Sequence, residues 1–253
     1  MVYIAFIIGT AGSGKSLLTA SFSEWLRINE QNVATLNLDP GVIKLPYTPD
    51  IDVRDYITID EIMDEYELGP NGALIMAADL IASEVENLRK EIEDVNPDIL
   101  LIDTPGQMEL FAYRKSGPFI VHGLRGEGKV IVFLSDPWML NTPENFLSVM
   151  LLASSVRIRF KLPFLHLLSK IDAAKEEAKK VMKWSSNPHL IEEELMKIPD
   201  GENYLMYTSL YRYMLKKGLI YKLIPMSSVT RYGFPDVSAA ISNLFKGGEE
   251  MAG

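Results

Sequence analysis

A short segment near the N-terminus has the residue types and the spacing that bind nucleotide phosphates. Residues 9–16 read Gly-Thr-Ala-Gly-Ser-Gly-Lys-Ser, which matches the pattern G-x-x-x-x-G-K-[ST]. The glycines allow backbone N–H groups to curl around a phosphate, and the start of the following helix adds positive partial charge. Lys15 would reach the β- and γ-phosphates, and the Ser16 hydroxyl would bind Mg²⁺. The predicted phosphate-binding residues are Ala11, Gly12, Ser13, Gly14, Lys15, Ser16 and Leu17.

A second candidate site follows an apolar run, where residues 103–107 read Asp-Thr-Pro-Gly-Gln. In enzymes with such a phosphate loop, a carboxylate like Asp103 holds Mg²⁺ directly or through water. The backbone N–H of Gly106 would approach a γ-phosphate and sense it. Gln107 and Glu109 follow on the same segment, where a group that orients the attacking water would lie. A simple turn would use the same residue types, but the phosphate loop favours the functional interpretation.

A third carboxylate, Asp39, follows the apolar run at residues 33–38 and precedes Pro40. Ligands bind at the carboxyl ends of parallel strands, so Asp39 would face the same phosphate crevice. It is a candidate for the Mg²⁺ shell or for polarising the attacking water. The alternative is an aspartate that only forms a turn before proline.

The segment Leu-Ser-Lys-Ile-Asp at residues 168–172 is a candidate for selecting the base. The carboxylate of Asp172 can accept hydrogen bonds from N1–H and N2–H₂ of guanine, a pair of donors that adenine lacks. The stem of Lys170 can cover the face of the base. The usual motif is Asn-Lys-x-Asp, and here Ser169 replaces the asparagine. A further loop would offer backbone N–H groups to guanine O6 and comprises Ser227, Ser228 and Val229.

The elements that must position these residues alternate between strands and helices. Apolar runs of strand length occupy residues 3–8, 33–38, 99–102, 130–134, 164–168 and 219–224, and helix-length segments separate them. This pattern predicts an α/β fold with a mainly parallel, doubly wound sheet, that is, a phosphate-loop NTPase with helical insertions. One apolar seam predicts a single helix over residues 73–93, and residues 182–218 are expected to form inserted helices. Residues 1–253 would form one domain.

Composition excludes several classes of site. The chain has 253 residues, 47% of them hydrophobic, and a formal net charge of −9, which argues against nucleic-acid binding as the main task. It contains no cysteine, so disulfides and thiolate metal sites are excluded. No signal peptide or membrane-spanning run is visible, which predicts a cytoplasmic protein without membrane contact.

These motifs in this order resemble the GPN-loop GTPases, and the single-chain archaeal type is the most similar. The tripeptide Gly-Pro-Asn at residues 69–71 carries the resemblance, together with residues 37–40 and 103–107. The resemblance implies a Mg²⁺-dependent, homodimeric GTPase in which Asn71 reaches the partner's active site. It implies that Asp39, Gln107 and Glu109 hold or activate the hydrolytic water. It also implies a client protein related to RNA polymerase assembly or transport.

Two alternatives stay open at this point. The first is an ATPase of the same superclass, although such ATPases carry an extra lysine where Thr10 and Ala11 stand here. The second is an assembly factor or chaperone whose nucleotide cycle binds and releases a client. An exposed stripe of aromatic and methionine side chains would support the second, although core packing would explain the same stripe. Its members at helical spacing are Tyr204, Tyr207, Tyr211 and Met214.

Overall fold

A seven-stranded parallel sheet forms the centre of the molecule in a computed structural model, which describes residues 2–197 and 201–250. The strand order is β3-β2-β4-β1-β5-β6-β7 and every recorded pair is parallel. The predicted α/β fold of a phosphate-loop NTPase is confirmed. The strands are β1 Tyr3–Gly9, β2 Val33–Asn37, β3 Ile51–Asp52, β4 Ile99–Asp103, β5 Gly128–Ser135, β6 Phe164–Leu168 and β7 Ile224–Pro225.

Both faces of the central strands are apolar because helices cover both faces of the sheet. Five of the six predicted strands lie within two residues of their predicted bounds. The sixth prediction, residues 219–224, was wrong over most of its length, since only Ile224 and Pro225 pair with β6. The residues before them bond to helices instead: Leu223 N–H donates to Ser185 Oγ at 2.8 Å.

Two apolar cores lie on opposite faces of the sheet. One contains side chains of the first and last helices, and the other contains side chains of most of the intervening helices. The helices are α1 Lys15–Ile28, α2 Ile59–Glu65, α3 Pro70–Ser83, α4 Val85–Val95, α5 Met108–Ala112, α6 Ser116–Gly123, α7 Pro143–Phe160, α8 Lys175–Ser186, α9 Pro188–Met196, α10 Gly201–Lys216 and α11 Phe234–Glu250. Short 3₁₀ helices occupy Val53–Asp55 and Pro137–Leu140.

The single helix predicted over residues 73–93 is two helices, α3 and α4, which meet at Glu84. Glu84 has φ −85° and ψ 2°, outside the helical region, and it ends one helix while starting the next. The apolar seam stays in phase across this residue, because Ile81, Val85 and Leu88 are all buried. The predicted helical insertion, residues 182–218, holds the end of α8 together with α9 and α10.

The aromatic stripe of α10 packs into the core. Tyr211 and Met214 are 0% and 1% exposed, and Tyr207 packs against the same cluster. Core packing therefore accounts for Tyr207, Tyr211 and Met214, and Tyr204 is half-buried. Within residues 2–197 and 201–250, no helix combines the length and apolar character needed to cross a bilayer.

Candidate nucleotide-binding site

The predicted phosphate loop connects the end of β1 at Gly9 to the start of α1 at Lys15. Gly12 and Gly14 have φ of 76° and 98°, a left-handed conformation that a side chain at Cβ would oppose. The Nζ of Lys15 donates to the carbonyl oxygens of Gly9 at 3.0 Å and Thr10 at 3.2 Å. The loop thus closes around the Lys15 side chain, and the backbone N–H groups of the loop lead into the N-terminus of α1.

Three carboxylates surround the buried ammonium of Lys15. Burial lowers the pKa of Lys15, and the charges of Asp103, Asp39 and Glu109 oppose that effect. Two chain segments, the one that follows β2 and the one that begins at the end of β4, therefore place acidic residues around the same cation. From the sequence, the proximity of these acidic residues to Lys15 could be predicted only from the rule that the carboxyl ends of parallel strands lie at one edge of the sheet.

Asp103 ends β4 and is 1% exposed. Burial raises the pKa of its carboxyl to about 6, although the Ser16 hydroxyl, the Lys15 charge and the Tyr47 hydroxyl act against the rise. Its Oδ2 accepts a hydrogen bond from Tyr47 Oη at 3.2 Å. Its Oδ1 is buried and has no hydrogen-bond partner within the chain as described. A buried carboxylate oxygen without a donor suits a bound cation.

The oxygen ligands available around Asp103 fit Mg²⁺ better than a metal ion that is held only by protein side chains. Over the described ranges, no group of three or more His, Cys, Asp or Glu residues could hold a metal. Mg²⁺ typically keeps several waters and binds one or two carboxylates together with substrate phosphates. Ser16 and Asp103 are the residues that would hold it.

The carboxylate of Asp39 connects two loops beside the phosphate loop. Its Oδ1 accepts the Gly41 N–H at 3.0 Å and its Oδ2 accepts the Gly106 N–H at 2.9 Å. The side chain of Asn37 fixes the backbone of Asp39, since its Oδ1 accepts the Asp39 N–H at 3.0 Å. Asp39 is therefore at the predicted place, but in this structure both of its oxygens bond to backbone N–H groups.

A cavity of about 240 Å³ lies beside this bridge. Asp39, Gly106 and Gln107 line its polar part, and apolar residues close the rest. Gln107 and Glu109 are exposed at the start of α5. Of the two, Gln107 lines the cavity and Glu109 does not.

The predicted base-selecting segment contacts the phosphate loop directly. Ser169 Oγ is buried and donates to the Ser13 carbonyl at 2.8 Å, with the Ser135 carbonyl at 3.2 Å. Lys170 Nζ donates to the carbonyl of Gly12. Ser169 thus links the end of β6 to the phosphate loop and to the end of β5.

The loop that follows β7 lies beside Asp172. The Met226 N–H donates to the Leu168 carbonyl at 2.8 Å, and the Ile171 N–H donates to the Met226 carbonyl at 3.5 Å. Ser227, which comes next, is buried, whereas Val229 is 69% exposed. The structure therefore brings the two predicted guanine-recognition segments to one place.

Comparisons with known proteins agree with this geometry. A family model described as "Conserved hypothetical ATP binding protein" matches residues 7–247. The GPN-loop GTPase PAB0955 of Pyrococcus abyssi is 35% identical over 238 residues, which are 92% of this chain and 94% of that protein. This chain belongs to the GPN-loop GTPase family. GPN-loop GTPase 1 of Dictyostelium discoideum is 36% identical over 169 residues, 66% of this chain and 43% of that longer protein.

A solved structure of the same family has the same fold. The crystal structure of PAB0955, described as a GTPase in apo form, aligns with a TM-score of 0.87 at 32% identity. The alignment covers 96% of this chain and 97% of that one. The GPN-loop GTPase architecture therefore extends over nearly the whole molecule.

The Gly-Pro-Asn motif of this GPN-loop GTPase forms the start of a helix. Gly69 is the N-cap of α3, and Pro70 and Asn71 belong to its first turn, where proline is favoured. All three residues are exposed. One turn further on, Leu74 packs so closely on Gly41 that a Cβ there would lie 2.7 Å from Leu74 Cδ2. The motif thus sits against the turn that carries Asp39.

Sequence reasoning missed three residues that support the site. They are Asn37, which precedes Leu38 and Asp39, Ser169, which replaces the usual asparagine, and Tyr47, which belongs to no motif. Asn37 Nδ2 also donates to Asp52 Oδ1 at 2.9 Å. Burial opposes ionisation of Asp52, but hydrogen bonds from Arg54 and from Asn37 lower its pKa. Only the proximity of strand ends could have indicated this network.

Proposed function

We propose that this chain hydrolyses GTP to GDP and phosphate in a Mg²⁺-dependent reaction. The observation that carries the proposal is the cluster of Lys15, Asp103, Asp39 and Glu109 at the phosphate loop. Lys15 would neutralise charge on the β- and γ-phosphates as the bond to the leaving group breaks. The names of the curated relatives support guanine as the base.

Each residue has one task in this proposal. Ser16 and Asp103 would hold Mg²⁺, which supplies positive charge against the phosphate oxygens when bound. The Gly106 N–H would donate to the γ-phosphate, and Gln107 and Glu109 would orient the attacking water. Asp39 would polarise that water or join the outer shell of the metal.

The proposed active form is a homodimer that acts as a nucleotide-dependent switch. Asn71 is exposed at the first turn of α3, and no hydrogen bond of its side chain is recorded among the described residues. An amide at that position is available to the partner's γ-phosphate, where it would stabilise developing charge as a preorganised donor. A client protein related to RNA polymerase remains a prediction of the family resemblance.

ATP is the second candidate substrate because the matching family model is described by ATP binding. Calorimetry with GTP and with ATP, each with Mg²⁺, separates the two, and phosphate release shows which one is turned over. We expect GTP to bind at least about tenfold more tightly, because a site with paired acceptors for guanine leaves them unpaired with adenine. Equal binding of both nucleotides would refute the guanine assignment.

A further inference from the structure

The carboxylate of Asp103 has a neighbour that belongs to none of the nucleotide-binding motifs. Tyr47 Oη donates a hydrogen bond to Asp103 Oδ2 at 3.2 Å, across 56 positions of sequence. Tyr47 is half-buried and lies on the irregular segment between β2 and β3.

The segment that carries Tyr47 is fixed at both ends. At its start, Asp39 bonds to two backbone N–H groups, as described above. At its end, Asp50 Oδ2 accepts the Thr35 N–H at 2.7 Å and the Thr35 hydroxyl at 2.8 Å.

Two prolines further restrict the backbone around the tyrosine. Pro46 and Pro49 flank the dipeptide Tyr47-Thr48. Each proline fixes its own φ and also narrows the conformations of the residue before it. The prolines therefore restrict the backbone on both sides of Tyr47.

This contact gives the two oxygens of Asp103 different surroundings. Oδ2 is held by Tyr47, while Oδ1 is buried without a donor among the residues described. We propose that Tyr47 is a positioning residue that orients the Asp103 carboxylate so that Oδ1 faces the magnesium ion. The inference rests on the proposed Mg²⁺-dependent function and adds a determinant of metal affinity to it.

The expected size of the effect on metal affinity follows from other metal sites. In those sites, removing a group that orients a metal-binding side chain costs about 10–100-fold in metal affinity or activity. Tyr47→Phe removes the hydroxyl and keeps the ring. We expect Mn²⁺, titrated by electron paramagnetic resonance against the protein with a non-hydrolysable GTP analogue, to bind about 10–100-fold more weakly in this variant. Affinity for the analogue in EDTA should stay unchanged, and turnover at saturating Mg²⁺ should fall far less than the metal affinity.

The matched control is Ile43→Ala, a substitution in the same segment at a side chain that is 98% exposed. It should leave Mn²⁺ affinity at the wild-type value. If Tyr47→Phe binds Mn²⁺ within twofold of the wild type, the positioning role is refuted and the magnesium dependence stands. If the wild type binds the analogue equally with Mn²⁺ and with EDTA, the magnesium dependence fails, and the role of Tyr47 fails with it.

Discussion

The carboxylate of Asp39 accepts the backbone N–H of Gly106 at 2.9 Å, and this bond joins the loop after β2 to the loop after β4. In the proposed mechanism the same N–H donates to the γ-phosphate. One N–H group makes one strong hydrogen bond, so the carboxylate and the phosphate compete for it. Binding of a triphosphate would therefore release Asp39 from Gly106.

We predict that Asp39→Ala lowers GTP turnover without weakening GTP binding. The variant loses the group proposed to polarise water or support the metal, and a positioned group that assists proton transfer typically contributes about 10²–10⁴-fold in rate. Affinity should not fall, because the Gly106 N–H becomes available to the phosphate. Single-turnover phosphate release and calorimetry measure the two effects. Asp64→Ala, at an exposed acidic residue of α2, is the control, and a parallel loss of affinity in Asp39→Ala would contradict the competition.

Asp172→Asn is expected to abolish the preference for guanine and to favour xanthine nucleotides. The amide keeps one acceptor but presents a donor where the second acceptor was, which suits the additional carbonyl of xanthine. Competitive binding of GTP, XTP and ATP gives the three affinities. If the ranking of the three nucleotides stays as in the wild type, Asp172 does not read the base.

Ser169→Ala should weaken the binding of GTP and of GDP by the same factor. Its buried hydroxyl bonds to the Ser13 carbonyl at 2.8 Å and so ties the base-selecting segment to the phosphate loop. A hydrogen bond of this kind contributes about 1 kcal/mol net, which is roughly fivefold in affinity. Ser169→Asn should retain the link. A loss confined to GTP would mean that the residue acts at the γ-phosphate and not on the base segment.

The stability of the metal-free protein should depend on pH through Asp103. Its pKa rises from 3.8 to about 6 on folding, so the folded state keeps a proton that the unfolded state has lost. Stability therefore falls as pH rises through this window, by up to about 3 kcal/mol. Asp103→Asn should match the wild type near pH 4 and exceed it above pH 7, as measured by urea unfolding in EDTA.

A buried acid with the opposite shift provides the control for that experiment. The pKa of Asp52 is lowered, so its contribution to stability is present above about pH 4 and is lost as pH falls further. Asp52→Asn should therefore be destabilised most at neutral pH. A difference between wild type and Asp103→Asn that does not change with pH would contradict the burial argument.

Asn71→Ala should lower turnover about 10²–10³-fold and leave GTP affinity nearly intact, because the amide acts on charge that develops in the transition state. Mixing this variant with Lys15→Ala should restore activity above that of either parent. In each heterodimer, one site combines an intact phosphate loop with an intact Asn71 from the other chain. If subunit exchange is confirmed and activity is only the average of the parents, Asn71 does not act across the dimer.

The sequence predicted the parts of the site in which a local rule dictates the residue. Gly12 and Gly14 adopt left-handed conformations, and Asp103 ends a buried strand, so spacing and periodicity suffice to find them. The family resemblance added Asn71, to which no local rule assigns a role.

Contacts between distant segments were out of reach. Tyr47 contacts Asp103 only after β2 and β4 pair. The segment that carries Tyr47 has no hydrophobic periodicity from which the contact could be predicted. The break at Glu84 left the apolar spacing undisturbed, so periodicity predicted one helix where there are two. The run at residues 219–224 is apolar because it packs against helices, and apolarity alone does not distinguish that from a strand.

The close packing of Leu74 on Gly41 has a consequence for how the two halves of a dimer would communicate. The turn that holds Asp39 and the helix that begins at Pro70 touch here, since a methyl group at position 41 would lie 2.7 Å from Leu74 Cδ2. A displacement of that turn would press on this contact and so on the first turns of α3. In the proposed dimer, the nucleotide bound to one subunit would then affect the active site of the other subunit. The two hydrolysis events would therefore not be independent.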